Sequence, residues 1–130
     1  DGGDTWDYDY VASPGRIKKG PEKAERLGGA YKDIPANGGE VHHMPADSVS
    51  PLSKERGPAI RMDTLDHRMT KSWGGSKKAK EYRKSQEELI KKGNFKEAQL
   101  MDINDVKVKF GNKYDKGIKQ MEDYTREMGY

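Results

Sequence analysis

The sequence has 130 residues, of which 32% are hydrophobic and 36% are charged, and its net charge is +3. Such a chain forms one domain, or a domain with an extension, around a small core. The absence of cysteine excludes a disulfide framework and a cysteine-based zinc site. No apolar run approaches the roughly 20 residues that span a bilayer, and no signal peptide is visible. Because the first residue is Asp rather than Met, we expect the sequence to be part of a longer chain.

Residues 1–28 are expected to form an irregular extension. Within it Trp6, Tyr8 and Tyr10 alternate with aspartates, a pattern compatible with a short strand or with an arm packed on the body. Pro21 predicts the start of a short helix over residues 22–27, which Gly28-Gly29 ends.

Residues 29–75 are predicted to contain two strands and a helical turn, and residues 76–130 to be helical. The first part begins with the turn Asn37-Gly38-Gly39, which leads into a strand over 40–43 that Pro45 ends. A polar loop over 46–58 leads to a return strand over 59–62. Asp63 or Thr64 then caps a helical turn that carries His67. The second part comprises helices over 76–92, from Asn94 to Phe110, and from Tyr114 to about Met128. Asn94 and Glu97 resemble a capping box, and Asp102 to Asp105 are a candidate break in the middle helix. Trp73 and Tyr82 are predicted to be core residues rather than base-stacking platforms.

The charge is unevenly distributed along the chain. Residues 1–10 carry four acids and no base, whereas residues 54–96 carry thirteen Lys or Arg against six Asp or Glu, a local charge of +7. A local basic field attracts polyanions such as nucleic acid. A solvated helix face is the commoner origin of a charge run in general.

The chain has three histidines, and two of them, His42 and His43, are adjacent. Histidine titrates near neutral pH and is the commonest metal ligand. Neighbouring side chains on a strand face opposite sides, so these two imidazoles are expected to have different roles, one towards a cation and one towards the substrate. His67 can then complete the cation site, and Asp63 or Asp66 can add a carboxylate. Glu40 lies on the same strand face as His42 and is either a further ligand or a solvent-exposed side chain.

A strand, loop, strand and helix that carry these histidines have the layout of a ββα-metal nuclease. Phosphodiester cleavage needs an activated water and a cation beside the phosphate oxygens, and a neutral imidazole can accept the proton of that water. A site with few protein ligands leaves positions open for water and phosphate. The predicted fold class is therefore α+β, with a ββα-metal (HNH-like) hairpin-plus-helix core and a mainly α-helical C-terminal part.

The same residues resemble a known family. The segments Gly39-Glu40-Val41-His42-His43-Met44-Pro45, Gly57-Pro58-Ala59-Ile60, Asp66-His67-Arg68 and Ser72-Trp73-Gly74, with Asp63 and Thr70, are similar to the His-His nuclease toxin domains of the HNH/endonuclease VII superfamily. These are C-terminal effector domains of bacterial polymorphic toxins, such as Rhs and contact-dependent inhibition proteins. The resemblance covers about residues 29–75, and the helical remainder is compatible with it. It divides the chain into an extension (1–28) and a nuclease toxin domain (29–130), with a catalytic core (29–75) and a helical part (76–130).

The resemblance implies a DNase that an upstream delivery protein carries into the cytoplasm of a target bacterium, and that a cognate immunity protein neutralises. It also implies that His42 binds the metal, that His43 is the general base and that His67 is the helix-borne ligand. The Asn that often orients the base has no obvious counterpart between the histidine pair and His67. Either a backbone carbonyl holds His43 instead, or the two histidines divide the roles differently.

The partners and alternatives follow from the same residues. Imidazole with oxygen ligands suits Mg²⁺, Mn²⁺, Zn²⁺ or Ni²⁺ to different degrees, so the metal is not specified. As a group, Arg68, Lys71, Lys77 and Lys78 are expected to contact DNA phosphates. An RNase on the same fold and a non-catalytic nucleic-acid-binding module remain alternatives. A structural zinc site is a weaker one, because three histidines without cysteine make a poor closed site.

Overall fold

The computed structural model describes residues 26–130. The predicted aromatic arm and Pro21 lie outside the described residues, as does most of the predicted helix over 22–27. Its last two residues, Arg26 and Leu27, are not helical. Among the helices of residues 26–130, none combines the length and apolar character needed to cross a membrane.

Three short antiparallel strands form one sheet in the order β1-β3-β2. They are β1 (Gly28–Ala30), β2 (Glu40–His43) and β3 (Pro58–Met62). In the β2–β3 pair, His42 lies opposite Ile60 and His43 opposite Ala59. The strands predicted over 40–43 and 59–62 are therefore confirmed.

Strand β1 was not predicted, because its glycine pair resembles a helix stop. The strand packs directly on helix α4 (Asp115–Glu127). A Cβ atom on Gly28 would lie 1.9 Å from the carbonyl oxygen of Gly117, so the two backbones approach too closely for a side chain. The backbone amides of Leu27 and Gly28 both donate to Oε1 of Gln120, each at 2.9 Å. Glycine at position 28 thus serves strand–helix packing rather than helix termination.

The long loop after β2 contains two 3₁₀ turns, Asp47–Val49 and Lys54–Arg56, and a third, Tyr31–Asp33, follows β1. After β3 comes the single helical turn α1 (Thr64–His67), which confirms the helical turn that carries His67. Asp63 is at its N-cap position, but its side chain makes no capping hydrogen bond. It accepts instead from Arg61 Nη1 at 2.7 Å.

The C-terminal part is helical, with α2 (Lys77–Lys91), α3 (Phe95–Phe110) and α4. Helix α3 is continuous, so the predicted break at Asp102 to Asp105 is wrong. These two aspartates are buried with partners: Asp102 accepts from Gln86 Nε2 at 2.8 Å, and Asp105 pairs with Lys109 at 2.7 Å. The predicted capping box is also wrong, because Asn94 makes no side-chain cap hydrogen bond.

The hydrophobic core lies where the sheet meets α3 and α4. Its members come from β2's end, β3 and these two helices, and they are Met44, Ile60, Met62, Ile103, Val106, Tyr114, Ile118 and Met121. A small antiparallel sheet packed against helices confirms the mixed α+β class.

Candidate active site

A cleft of about 380 Å³ opens beside strand β2. All three histidines border it, so the structure brings together the residues that the sequence singled out. The remaining lining comes from β2, the following 3₁₀ turn, the segment after α1, and α2: Val41, Ala46, Asp47, Ser48, Ser72, Trp73, Gly74 and Arg83.

His42 is buried at the base of the cleft, with 3% of its surface exposed. Its ring lies 4.8 Å from the ring of His67, centroid to centroid, at an angle of 50°. Burial holds the pKa of His42 well below the ordinary 6.5, and the neighbouring His67 and His43 lower it further, so the ring is neutral at neutral pH. Nε2 of His42 is buried without a hydrogen-bond partner. A buried polar atom left unpaired costs free energy, and a bound ion is one of the explanations for it.

Glu40 connects His67 to Arg68. Nδ1 of His67 donates to Oε1 of Glu40 at 2.7 Å, while Nη2 of Arg68 donates to Oε2 at 2.7 Å. These two bonds, that of Arg68 first, lower the pKa of Glu40. With the proton fixed on Nδ1, a neutral His67 has its lone pair on Nε2, which is the usual arrangement of a metal-binding histidine with a carboxylate partner. Glu40 is therefore not a free surface residue, because its carboxylate accepts a hydrogen bond from His67 and orients that ring. Within residues 26–130 it is not part of a group of side chains that could hold a metal ion.

His43, the next residue of β2, is held by different groups. Its ring stacks on Tyr31 with 4.3 Å between centroids and 11° between planes. Nε2 contacts the backbone carbonyl of Lys54 at 2.9 Å. Because a carbonyl only accepts, Nε2 carries the proton, and Nδ1 of the neutral ring is free to accept one. A backbone carbonyl therefore contacts the His43 ring, as one of the two alternatives expected.

The environment of His43 keeps its ring in place and uncharged. Burial lowers the pKa of His43 from its ordinary 6.5, and the bond to the Lys54 carbonyl opposes this shift in part. Gly57 lies against the ring: a Cβ atom there would be 2.8 Å from Cδ2 of His43. Any side chain at position 57 would therefore displace the imidazole.

Asp63 and Asp66, the two predicted carboxylate ligands, lie in a separate cluster. Lys113 Nζ pairs with Asp63 at 2.9 Å and with Asp66 at 2.7 Å, and the hydroxyl of Tyr114 donates to Asp66 at 2.6 Å. The bond from Lys113 is the largest cause that lowers the pKa of each carboxylate. Neither aspartate borders the histidine cleft. The structure thus groups them with Lys113 rather than with the histidines.

Two imidazoles of the cleft are the residues that could hold a cation. Within residues 26–130, no three His, Asp or Glu side chains are grouped so as to hold a metal ion. His42, with its unpaired Nε2, and His67, with its lone pair on Nε2, remain as a pair of imidazole donors. Two imidazoles are one protein ligand fewer than the three of a typical catalytic zinc site, so water and phosphate would have to supply the remaining ligands.

Of the predicted DNA-binding cations, Arg68 lies over Trp73, which borders the cleft, and donates to Glu40, the partner of His67. Lys71, Lys77 and Lys78 are exposed. Arg83 was not predicted, because no sequence signal separates it from the other basic residues of α2. It borders the cleft, and its Nη1 donates to the carbonyls of Ser72 at 2.6 Å and Gly74 at 2.8 Å.

The two aromatic residues that were predicted to be core differ. Tyr82 is half-buried and lies outside the hydrophobic core, and its hydroxyl donates to buried Asp102 at 2.8 Å. Trp73 is 45% exposed and borders the cleft, so its prediction as a core residue is wrong.

Comparisons with protein-family models, with curated proteins and with solved structures gave no match to this chain. The function proposed below therefore depends on the geometry of the cleft and on the sequence resemblance.

Proposed function

We propose that the histidine cleft is the active site of a metal-dependent endonuclease that hydrolyses phosphodiester bonds of DNA. The observation that carries the proposal is the division of the three imidazoles. His42 has a buried, unpaired Nε2, His67 is oriented by Glu40, and His43 has its proton fixed on Nε2 by a carbonyl. The order β2, β3, α1 around them supports a ββα-metal core.

The residues of the cleft have separate chemical tasks in this proposal. A divalent cation held by His42 and His67 would supply Lewis-acid stabilisation of the phosphate. His43 accepts the proton of the attacking water at Nδ1, and the Lys54 carbonyl stabilises the imidazolium that forms, because Nε2–H continues to donate to it. Arg68 and Arg83 add positive charge beside the cleft for the phosphate backbone.

The basic segment 54–96 supports a polyanionic substrate. Within it Arg68, Lys71, Lys77 and Lys78 are proposed to contact DNA phosphates. The toxin context belongs to the same proposal: delivery by an upstream protein, action in the cytoplasm of a target bacterium, and neutralisation by a cognate immunity protein. It is supported by the sequence resemblance alone.

Metal removal tests the proposal directly. Purified protein is incubated with supercoiled plasmid in Mg²⁺, Mn²⁺, Zn²⁺ or Ni²⁺, with parallel tRNA and rRNA samples. We expect nicking of the plasmid with at least one of these ions and its loss on addition of EDTA. Cleavage of the RNAs without the plasmid would identify an RNase instead. Binding of nucleic acid without cleavage in any metal would contradict an enzymatic function and identify a binding module.

A further inference from the structure

We infer that Trp73 and Arg68 form a stacking platform for an unpaired base of the nucleic acid substrate. The inference rests on the proposed function, because it places the platform beside the reacting phosphate. It defines the preferred substrate as a strand with at least one unpaired base at the cleft: single-stranded DNA, a frayed end or a distorted duplex.

Trp73 is presented to the cleft on a fixed backbone. Arg83 Nη1 donates to the carbonyls on both sides of it, those of Ser72 and Gly74, and the amide of Trp73 donates to the carbonyl of Thr70 at 3.2 Å. Yet the indole itself is 45% exposed. An exposed aromatic ring on a preorganised backbone loses little conformational freedom when a ligand stacks on it.

Arg68 lies over one face of the indole, leaves the other face for a base, and connects Trp73 to the histidines. Its guanidinium lies 5.7 Å from the centre of the Trp73 ring. Glu40 accepts from Arg68 through one carboxylate oxygen and from His67 through the other, both at 2.7 Å. A single carboxylate therefore couples the platform to the candidate cation ligand. A base stacked on the platform belongs to a nucleotide adjacent to the phosphate in the cleft.

The chemistry of the platform selects an unpaired base. Aromatic rings and guanidinium planes bind the π-face of a base, and every base has one. Inside a duplex these faces are covered by neighbouring base pairs, so a base must be unpaired or extruded to reach a protein ring. The cationic side chains Arg68 and Arg83 supply the complementary charge for the attached phosphates.

The test measures binding without cleavage. In EDTA, fluorescein-labelled oligo(dT) and its duplex with oligo(dA) are titrated with wild type, Trp73→Ala and Trp73→Phe. The matched control is Leu100→Ala, which truncates an exposed apolar side chain on α3 that does not border the cleft. We expect Trp73→Ala to weaken oligo(dT) binding by roughly tenfold or more and to reduce the preference for the single strand. Trp73→Phe should retain most of the affinity, and Leu100→Ala all of it.

Fluorescence gives a second measurement that does not depend on truncation. The sequence has two tryptophans, so a Trp6→Phe background leaves Trp73 as the only indole. Saturation with oligo(dT) should quench its emission, because a base stacks on the ring. Unchanged affinity of Trp73→Ala, or unchanged emission, would overturn the platform and leave the exposed indole for a protein partner.

The platform and the proposed function fail in different ways. If wild type cleaves plasmid but Trp73→Ala binds oligo(dT) as wild type does, the platform is wrong and the nuclease stands. If no metal supports cleavage but Trp73→Ala weakens oligo(dT) binding, the platform stands and the protein is a binding module.

Discussion

The histidine cleft and the α2–α3 contact both bury polar side chains, but the hydrogen bonding of these side chains differs between the two regions. Between the helices, Asp102 accepts from the Tyr82 hydroxyl and from the Gln86 amide, each at 2.8 Å. In the cleft, His42 is similarly buried, yet its Nε2 has no partner. Oε1 of Gln86 is also buried without a partner, but Gln86 still connects the two helices by donating from Nε2 to the Ala98 carbonyl at 3.0 Å and to Asp102. The regions therefore differ in how far their buried polar side chains hold neighbouring elements together.

The helical region behaves as a scaffold. Gln99 extends its network by donating to the carbonyl of Met44 and to the hydroxyl of Thr125, both at 2.9 Å. These bonds connect the end of β2 to α3 and α4. We therefore expect substitutions in the network to change stability more than activity per folded molecule. Substitutions in the cleft should do the reverse.

Among Gly57→Ala, Glu40→Gln and Asp102→Asn, the largest effect is expected for Gly57→Ala. In Gly57→Ala the new methyl group would overlap the His43 ring and displace it. A displacement near 1 Å at a catalytic group can cost about 10²-fold in rate, so nicking should fall by up to that factor. Gly75→Ala is the matched control, since a Cβ there meets no atom within 4 Å. Equal nicking rates for the two variants would show that the His43 position is not critical.

A similar or somewhat smaller loss is expected for Glu40→Gln. Glu40→Gln removes the charge that fixes the proton on Nδ1 of His67 while keeping the size of the side chain. Loss of such a carboxylate partner typically lowers metal affinity or activity about 10- to 100-fold. The metal concentration for half-maximal nicking should rise accordingly.

The control for this substitution is Glu88→Gln, an exposed acid on α2. If both variants require the same metal concentration as wild type, Glu40 does not orient a ligand. If both are impaired equally, the effect is one of overall charge.

The smallest expected effect is on the pH dependence of the free energy of unfolding, through Asp102 in the α2–α3 contact. Burial raises the pKa of Asp102 from 3.8 to about 7. Between these values the folded protein binds more protons at this site than the unfolded chain, so its contribution to the free energy of unfolding decreases as pH rises. Asp102→Asn removes this contribution, and its stability should decrease less across that window. Urea unfolding followed by circular dichroism measures the difference, and parallel pH profiles for the two proteins would contradict it.

Elements with local signals could be predicted from the sequence. The turn Asn37-Gly38-Gly39 precedes β2, and Ser76 accepts from the amide of Ala79 at the start of α2, as its position at the helix start suggests. Strand β1 and the continuity of α3 depend on distant partners. Gly28 needs Gly117, and Asp102 needs side chains on α2. A pattern read along one segment does not contain these contacts.

The candidate site divides in the same way. Adjacency and strand alternation were enough to predict that His42 and His43 differ, and the strand–loop–strand–helix layout predicted that His67 lies near them. The carbonyl of Lys54 and the exposure of Trp73 were not predictable, because they depend on the path of loops rather than on side-chain type. The role of Glu40 was missed because a carboxylate beside histidines is equally compatible with ligation and with exposure.

The central claim is that His43 activates water in a metal-dependent nuclease, and plasmid nicking by His43→Ala tests it most directly. Circular dichroism and thermal unfolding first establish that the variant is folded like wild type. Removal of a general base should lower the nicking rate by about 10²- to 10⁴-fold at saturating metal. Nicking by folded His43→Ala at the wild-type rate would contradict the account.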